Sequence, residues 1–353
     1  MSWCGILGHD DVVARFRVAL ERGRLASSFL FVGPEGIGKR RFALELARSL
    51  LCSSRPEEAM DPCGACPACL QVGSLTHPDL EYVKKPEDKS FLPLELLIGD
   101  KEHRGRAGLC PRLSLKPFMG GRKVAIIDDA DFLNAEGANC LLKTLEEPPP
   151  RSVLILIGTT PAKQLPTIRS RCQPIRFQPL SVSETAEILL SQGVTQDADE
   201  AARLAAQSGG SVQRAAELAD AALQGVRDAI FRHLSRPPMN CLGLSTEIMR
   251  FVEQAGREAP ARRERLRQAI AAATEFFEQL LRSLSLAPTQ ARSIRGIRAP
   301  GADEAAGHWR SGVQGAVRCI ERCLEAADQV DRNVYPATLV ECWIDDLART
   351  AQW

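Results

Sequence analysis

Apolar positions in the first half of the chain fall into two alternating patterns. In HDDVVARFRVALERGRLA (9–26) they recur at helical spacing, and SFLFVG follows as a short unbroken apolar run closed by glycine. The spacing predicts a helix and then a buried strand. RRFALELARSLLC returns to the helical period, so strand, glycine loop and helix stand in that order. Further strands are predicted in DLEYVK, KVAIIDDAD and SVLILIGTT, each followed by helix-like or turn-like sequence. This alternation predicts an α/β domain whose mostly parallel sheet is covered by helices on both faces.

From Pro179 onward the strand pattern stops. SVSETAEILLSQ, DADEAARLAAQS and SVQRAAELADAAL read as three short helices with glycine or acidic caps, and residues 223–353 are helical by period. Within them, 286–312 is polar and rich in Gly, Pro, Ala and Arg, which predicts a long exposed connection. GDKEHRGRAGLCPRL (99–113) reads as an irregular interruption of the first domain. No repeat of fixed period is present.

A length of 353 residues suits two or three domains, and a net charge of +1 excludes a general polyanion binder. No stretch approaches a membrane span, and MSWCGILGHDDVVARF lacks the basic region and apolar run of a signal peptide, so the expected location is the cytoplasm. Twelve cysteines are spread over the chain, but four of them cluster, which in a reducing compartment points to metal.

GPEGIGKR (33–40) carries the glycines and lysine of a phosphate-binding P-loop: Gly33, Gly36 and Gly38 let backbone N–H groups curl around phosphate, and Lys39 neutralises it. Arg40 stands where that motif places a Mg²⁺-binding hydroxyl, which disfavours productive Mg²⁺–ATP binding in cis. In VAIIDDAD an apolar strand runs into Asp128 and Asp129, placed to hold a cation's water shell and to polarise a water, or simply to cap the next helix. Cys63, Cys66 and Cys69 form C-x-x-C-x-x-C, and Cys52 at the preceding helix end completes four thiolates, for which Zn²⁺ is the natural occupant and a redox pair or an iron–sulfur cluster the rivals. Four thiolates leave no open position, so such a zinc is structural. Arg171 in TIRSRCQPIRF is either a surface arginine or a finger reaching a neighbour's nucleotide.

Taken in order, GHDDVVARFRVAL, GPEGIGKR, CGACPACL, HPDLEYV, GGRKVAIIDDADFLNAEGANCLLKTLEEPPP, LILIGTT, LPTIRSRCQPIRF and GGSVQRA resemble the delta prime subunits of bacterial DNA polymerase III clamp loaders, over about residues 5–222. The last third is similar mainly in being helical, with DRNVYPATLVECWIDDL resembling the end of the family's collar. The resemblance implies an AAA+ P-loop α/β domain over 1–178 with a zinc module at 52–69, a helical lid over 179–222, and an all-α collar over 223–353 that assembles with other subunits into an open ring. Such a subunit belongs to the DNA polymerase III complex without hydrolysing ATP itself. It offers Arg171 to an adjacent gamma/tau-like motor subunit and helps hold the delta subunit, so that the sliding clamp is opened and placed on primed DNA. The resemblance also matches Cys52, Cys63, Cys66 and Cys69 to the family's zinc ligands, Arg214 to the lid's sensor arginine, and Thr159 or Thr160 to a polar sensor position. Two other readings stay open: an active motor using Lys39, Asp128 and Asp129 in cis, and a zinc-dependent nucleic-acid module, which the near-neutral charge disfavours.

Overall fold

A computed structural model describes residues 3–86, 89, 91–119, 121–236, 238–285, 301–332 and 334–351. It divides into two compact units, Met1–Ala215 and Ala216–Trp353.

The first unit is built on five strands: β1 (Ser28–Val32), β2 (Leu80–Val83), β3 (Lys123–Ile127), β4 (Ser152–Gly158) and β5 (Gln173–Arg176). All pairings are parallel, in the order β2-β3-β4-β1-β5. Around them run α1 (Asp10–Glu21), α2 (Lys39–Leu51), α3 (Pro67–Gly73), α4 (Leu94–Ile98), α5 (Leu109–Leu113), α6 (Ala135–Glu146) and α7 (Pro166–Arg169). Strand residues alternate between two cores. Phe29, Phe31, Val124, Ile126, Ile155 and Ile157 pack with Phe16 of α1 and Phe42 of α2. Leu30, Val32, Ala125, Ile127, Leu154 and Leu156 pack on the opposite face with α4, α5 and α6. Burial on both faces is why these strands read as unbroken apolar runs.

β5 was not expected, because only Ile175 of its four residues is buried and Pro174 interrupts the pattern. It pairs with β1 alone, and a sheet edge is where a strand proline is tolerated. The segment 99–113 is also less irregular than its sequence suggests, since 109–113 form α5 and bury Leu109, Cys110 and Leu113. Pro111 hides that period, yet it lies in the first turn, where its missing N–H costs no helical bond. After the sheet come α8 (Val182–Ser191), α9 (Ala198–Gln207) and the start of α10 (Val212–Ala219), in the same unit.

The second unit is helical throughout its described residues: α11 (Ala221–Ser235), α12 (Cys241–Glu253), α13 (Ala259–Ser285), α14 (Ala302–Ala306), α15 (Gly312–Asp331) and α16 (Pro336–Thr350). Phe231, Phe276, Phe277, Trp309 and Trp343 anchor its core. Of the expected exposed connection, 286–300 lies outside the described residues; in the rest, Asp303, Glu304, Gly307, His308 and Arg310 are exposed as expected, whereas Ala302, Ala305 and Trp309 are buried. Two alanines on a short helix and a tryptophan three residues beyond it give no periodic signal in a window dominated by polar residues. Among the described residues no helix is long and apolar enough to cross a membrane.

Candidate functional site

The parallel sheet opens a cavity of about 830 Å³ at the carboxyl ends of its strands, where open α/β sheets place ligands. Its floor is the turn from β1 into α2. Gly38 caps α2 with φ 99°, a left-handed conformation that glycine adopts without strain. Lys39 is only 7% exposed, and its Nζ donates to the carbonyls of Gly33 (2.7 Å) and Pro34 (2.5 Å). Burial pulls its pKa down. The N–H of Val212 donates to the Gly36 carbonyl at 3.0 Å, and a Cβ built on Gly36 would lie 2.3 Å from the Ser211 hydroxyl.

Asp128 follows β3 and lies opposite the loop. Its Oδ2 accepts from the Tyr82 hydroxyl (2.9 Å) and lies 3.8 Å from Arg40 Nε, while the Arg40 guanidinium sits 5.6 Å from the Tyr82 ring centre. Burial and the adjacent Asp128 carboxylate push the Tyr82 hydroxyl up. Asp129 adopts φ 58°, and burial together with Asp128 raises its pKa. Asp129 stands at the N-cap of the short 3-10 turn Ala130–Phe132 but its side chain makes no capping hydrogen bond, and the side-chain cap of α6 is Asn134, which accepts from the Gly137 N–H at 2.8 Å. With Arg40 turned onto Asp128 and no hydroxyl at position 40, these residues do not fit a Mg²⁺ ion.

Other expected positions divide. Thr159 lines the cavity; its N–H and hydroxyl donate to Asp131 Oδ2 at 2.8 and 2.5 Å, and Gln164 donates to Oδ1 at 2.7 Å. Thr160 is exposed and does not line the cavity, so Thr159 is the one of the two threonines at the site. Arg214 is exposed on α10; its neighbours Val212 and Gln213 line the cavity and it does not. Tyr82, Asp131 and Gln164 escaped the sequence reading because pairing across the fold, not a motif, brings them in. Tyr82 stands opposite Ile126 in the β2–β3 register, two residues before Asp128.

Arg171 lies outside the cavity lining, just after α7. Its guanidinium donates to the Thr167 carbonyl and the Ser170 hydroxyl, both at 3.1 Å, and pairs with Glu146 of α6 at 2.6 Å. Cys172 beside it is buried, and burial pushes its thiol up to about 12, so it is an anchor for the turn and not a nucleophile.

The structure brings the four clustered cysteines together. Cys52 ends α2, Cys66 caps α3 and Cys69 lies in its first turn; all four sulfurs fall within 4.8 Å of one another. Cys52–Cys66 and Cys63–Cys69 are each 3.9 Å apart. A tetrahedron with metal–sulfur bonds of ~2.3 Å has edges of about 3.8 Å, so the set fits a four-coordinate metal ion. The backbone N–H groups of Cys66 and Cys69 donate to the sulfurs of Cys63 and Cys66, which favours thiolates there.

Residues 8–181 match the protein family described as DNA polymerase III, delta subunit. The delta prime subunit of DNA polymerase III from Pseudomonas aeruginosa is 37% identical over 207 residues, covering 59% of this chain and 59% of that protein. The corresponding subunit of Bacillus subtilis is 36% identical over 200 residues, covering 57% and 56%. The gamma/tau subunit of Mycobacterium tuberculosis is 32% identical over 234 residues, covering 64% of this chain and 38% of that protein. The chain thus spans less than two thirds of the length of each of these relatives.

Proposed function

We propose that this chain, whose residues 8–181 carry the match to the DNA polymerase III delta-subunit family, is a clamp-loader subunit of the delta prime kind that serves catalysis on a neighbouring subunit. In this reading 1–178 is the AAA+ domain, 179–222 its lid and 223–353 the collar. Its partners are gamma/tau-like motor subunits and a delta subunit, and with them it loads a sliding clamp onto primed DNA in the cytoplasm. The four thiolates hold a structural zinc that ties the end of α2 to α3. The observation that carries the reading is the contrast between two arginines: Arg40 sits beside the acid that would hold a cation, and Arg171 lies outside the lining of the chain's own cavity, on the turn after α7.

Arg171 reaches a partner's phosphoryl group from a rigid turn, where its delocalised charge stabilises the charge that develops on transfer. The decisive experiment reconstitutes the complex and compares DNA-stimulated ATPase with and without Arg171→Ala. A loss on the order of 10³-fold is expected for a finger; an unchanged rate would overturn the role. The isolated chain is expected to show no ATP turnover. Phosphate release that Lys39→Ala abolishes would instead make it a motor subunit.

A further inference from the structure

Glu146 is the last residue of α6, and an acid is out of place there. The carbonyls left open at a helix C-terminus carry the negative end of the macrodipole, which favours lysine or arginine at that position and disfavours a carboxylate. Yet Glu146 is followed directly by Glu147 at the C-cap, with Lys143 the cation of the last turn. A residue that breaks the local rule points to a role outside its own helix.

What Glu146 meets is Arg171. Its Oε1 lies 2.6 Å from Arg171 Nη2, while Nη1 of the same guanidinium donates to the Thr167 carbonyl and the Ser170 hydroxyl, both at 3.1 Å. No other carboxylate pairs with Arg171 among the described residues. The turn beneath is fixed without Glu146: Pro166 opens α7, the Arg171 N–H donates to the Ile168 carbonyl at 3.1 Å, and Cys172 is buried. Nη1 thus ties the guanidinium to its own turn, and Nη2 is the nitrogen that Glu146 occupies. A carboxylate oxygen offers that N–H an anionic acceptor of the same kind as a phosphoryl oxygen. The Arg171 and Glu146 side chains are 34% and 50% exposed, and an ion pair so open to water is weak enough to exchange.

We propose that Glu146 is a positioning residue for Arg171: it holds Nη2 in place of phosphate and yields it to the phosphoryl group of a neighbouring subunit's nucleotide. This rests on reading Arg171 as a finger. Glu146 both steadies the guanidinium and competes with the incoming phosphate. Because Nη1 keeps two contacts of its own, relief of competition is the larger effect of removing the carboxylate.

The test is steady-state ATPase of the reconstituted complex on primed DNA, with the parent chain, Glu146→Gln, Arg171→Ala and the double variant. Glu146→Gln keeps the size and an oxygen acceptor but removes the charge. It is expected to raise kcat/KM for ATP about two- to fivefold, the range set by breaking an exposed pair, chiefly through a lower KM. On the residual rate of the Arg171→Ala complex the same change is expected to have no effect. A purely structural residue would leave kcat/KM unchanged or lower it, and a gain that persists without Arg171 would arise elsewhere; any of these results overturns the proposal. Urea unfolding of the isolated Glu146→Gln chain, expected at the parent's midpoint, separates a rate change from misfolding. If Arg171→Ala itself leaves the ATPase unchanged, the finger reading falls. If it lowers the rate while Glu146→Gln changes nothing, only the role of Glu146 falls.

Discussion

Phe42 shows what single side chains contribute to holding the cavity floor in place. It is fully buried on α2, three residues after Lys39, with ring centres of Trp3, Phe177, Phe16 and Phe31 at 4.9, 5.1, 5.8 and 5.9 Å. Phe42→Ala leaves a cavity against rigid neighbours and is expected to cost about 3–5 kcal/mol, read from urea unfolding with an unchanged slope. At this scale the sequence is informative where chemistry is contiguous. Gly33 to Lys39 and Cys63 to Cys69 declare themselves because neighbours in the chain are neighbours in the site. Tyr82, Asp131 and Thr159 do not, since their partners are set by strand register and by a short turn after β3. The choice of Thr159 over Thr160 rests on which hydroxyl meets the Asp131 carboxylate, and adjacent identical residues carry no trace of that.

Elements were legible in proportion to how regularly they bury themselves. The strands with unbroken apolar runs stood out, whereas β5 and α5, both short and each interrupted by a proline, merged with their loops. α8 is the clearest case of local sequence fixing an element. Ser181 accepts from the Glu184 N–H at 3.2 Å while Glu184 accepts from the Ser181 N–H at 2.8 Å, a reciprocal cap on the helix start. Ser181→Ala is expected to cost about 1 kcal/mol at neutral pH. The Ser181 hydroxyl and N–H hold the Glu184 carboxyl below its ordinary value of 4.5. The cap's ionic share is therefore complete above that value and disappears as pH falls through the lowered one. Thermal scans of the parent chain and Ser181→Ala are expected to converge in acid; a constant gap would mean that the hydroxyl alone carries the cap. The metal module is the second element with a direct check. Purified chain with intact thiols is expected to hold about one equivalent of zinc, and chelation should raise hydrogen exchange across 52–69.

At the scale of the molecule, two units with separate cores carry separate consequences. The four thiolates and the sheet lie in Met1–Ala215, and the helical core around Phe276 and Trp343 lies in Ala216–Trp353. Removing the metal is therefore expected to lower one calorimetric transition and leave a second in place; a single transition that moves as a whole would show that the units unfold together. The sequence marked the change from α/β to all-helical architecture plainly, because strand-like runs cease. The two units divide between Ala215 and Ala216, within α10, where the helical period continues across the division.

The closeness of Gly36 to residues 211–213 leaves no space for a methyl group: a Cβ there would also fall 2.6 Å from Gln213 Cβ, and φ of +71° is itself unfavourable for alanine. Gly36→Ala would therefore act as a wedge. It would prise the 211–213 turn off the loop while leaving Lys39, Arg40 and Arg171 chemically unaltered. A hydrogen atom at this position is what lets the cavity be roofed at all, and its replacement offers a way to jam the roof open.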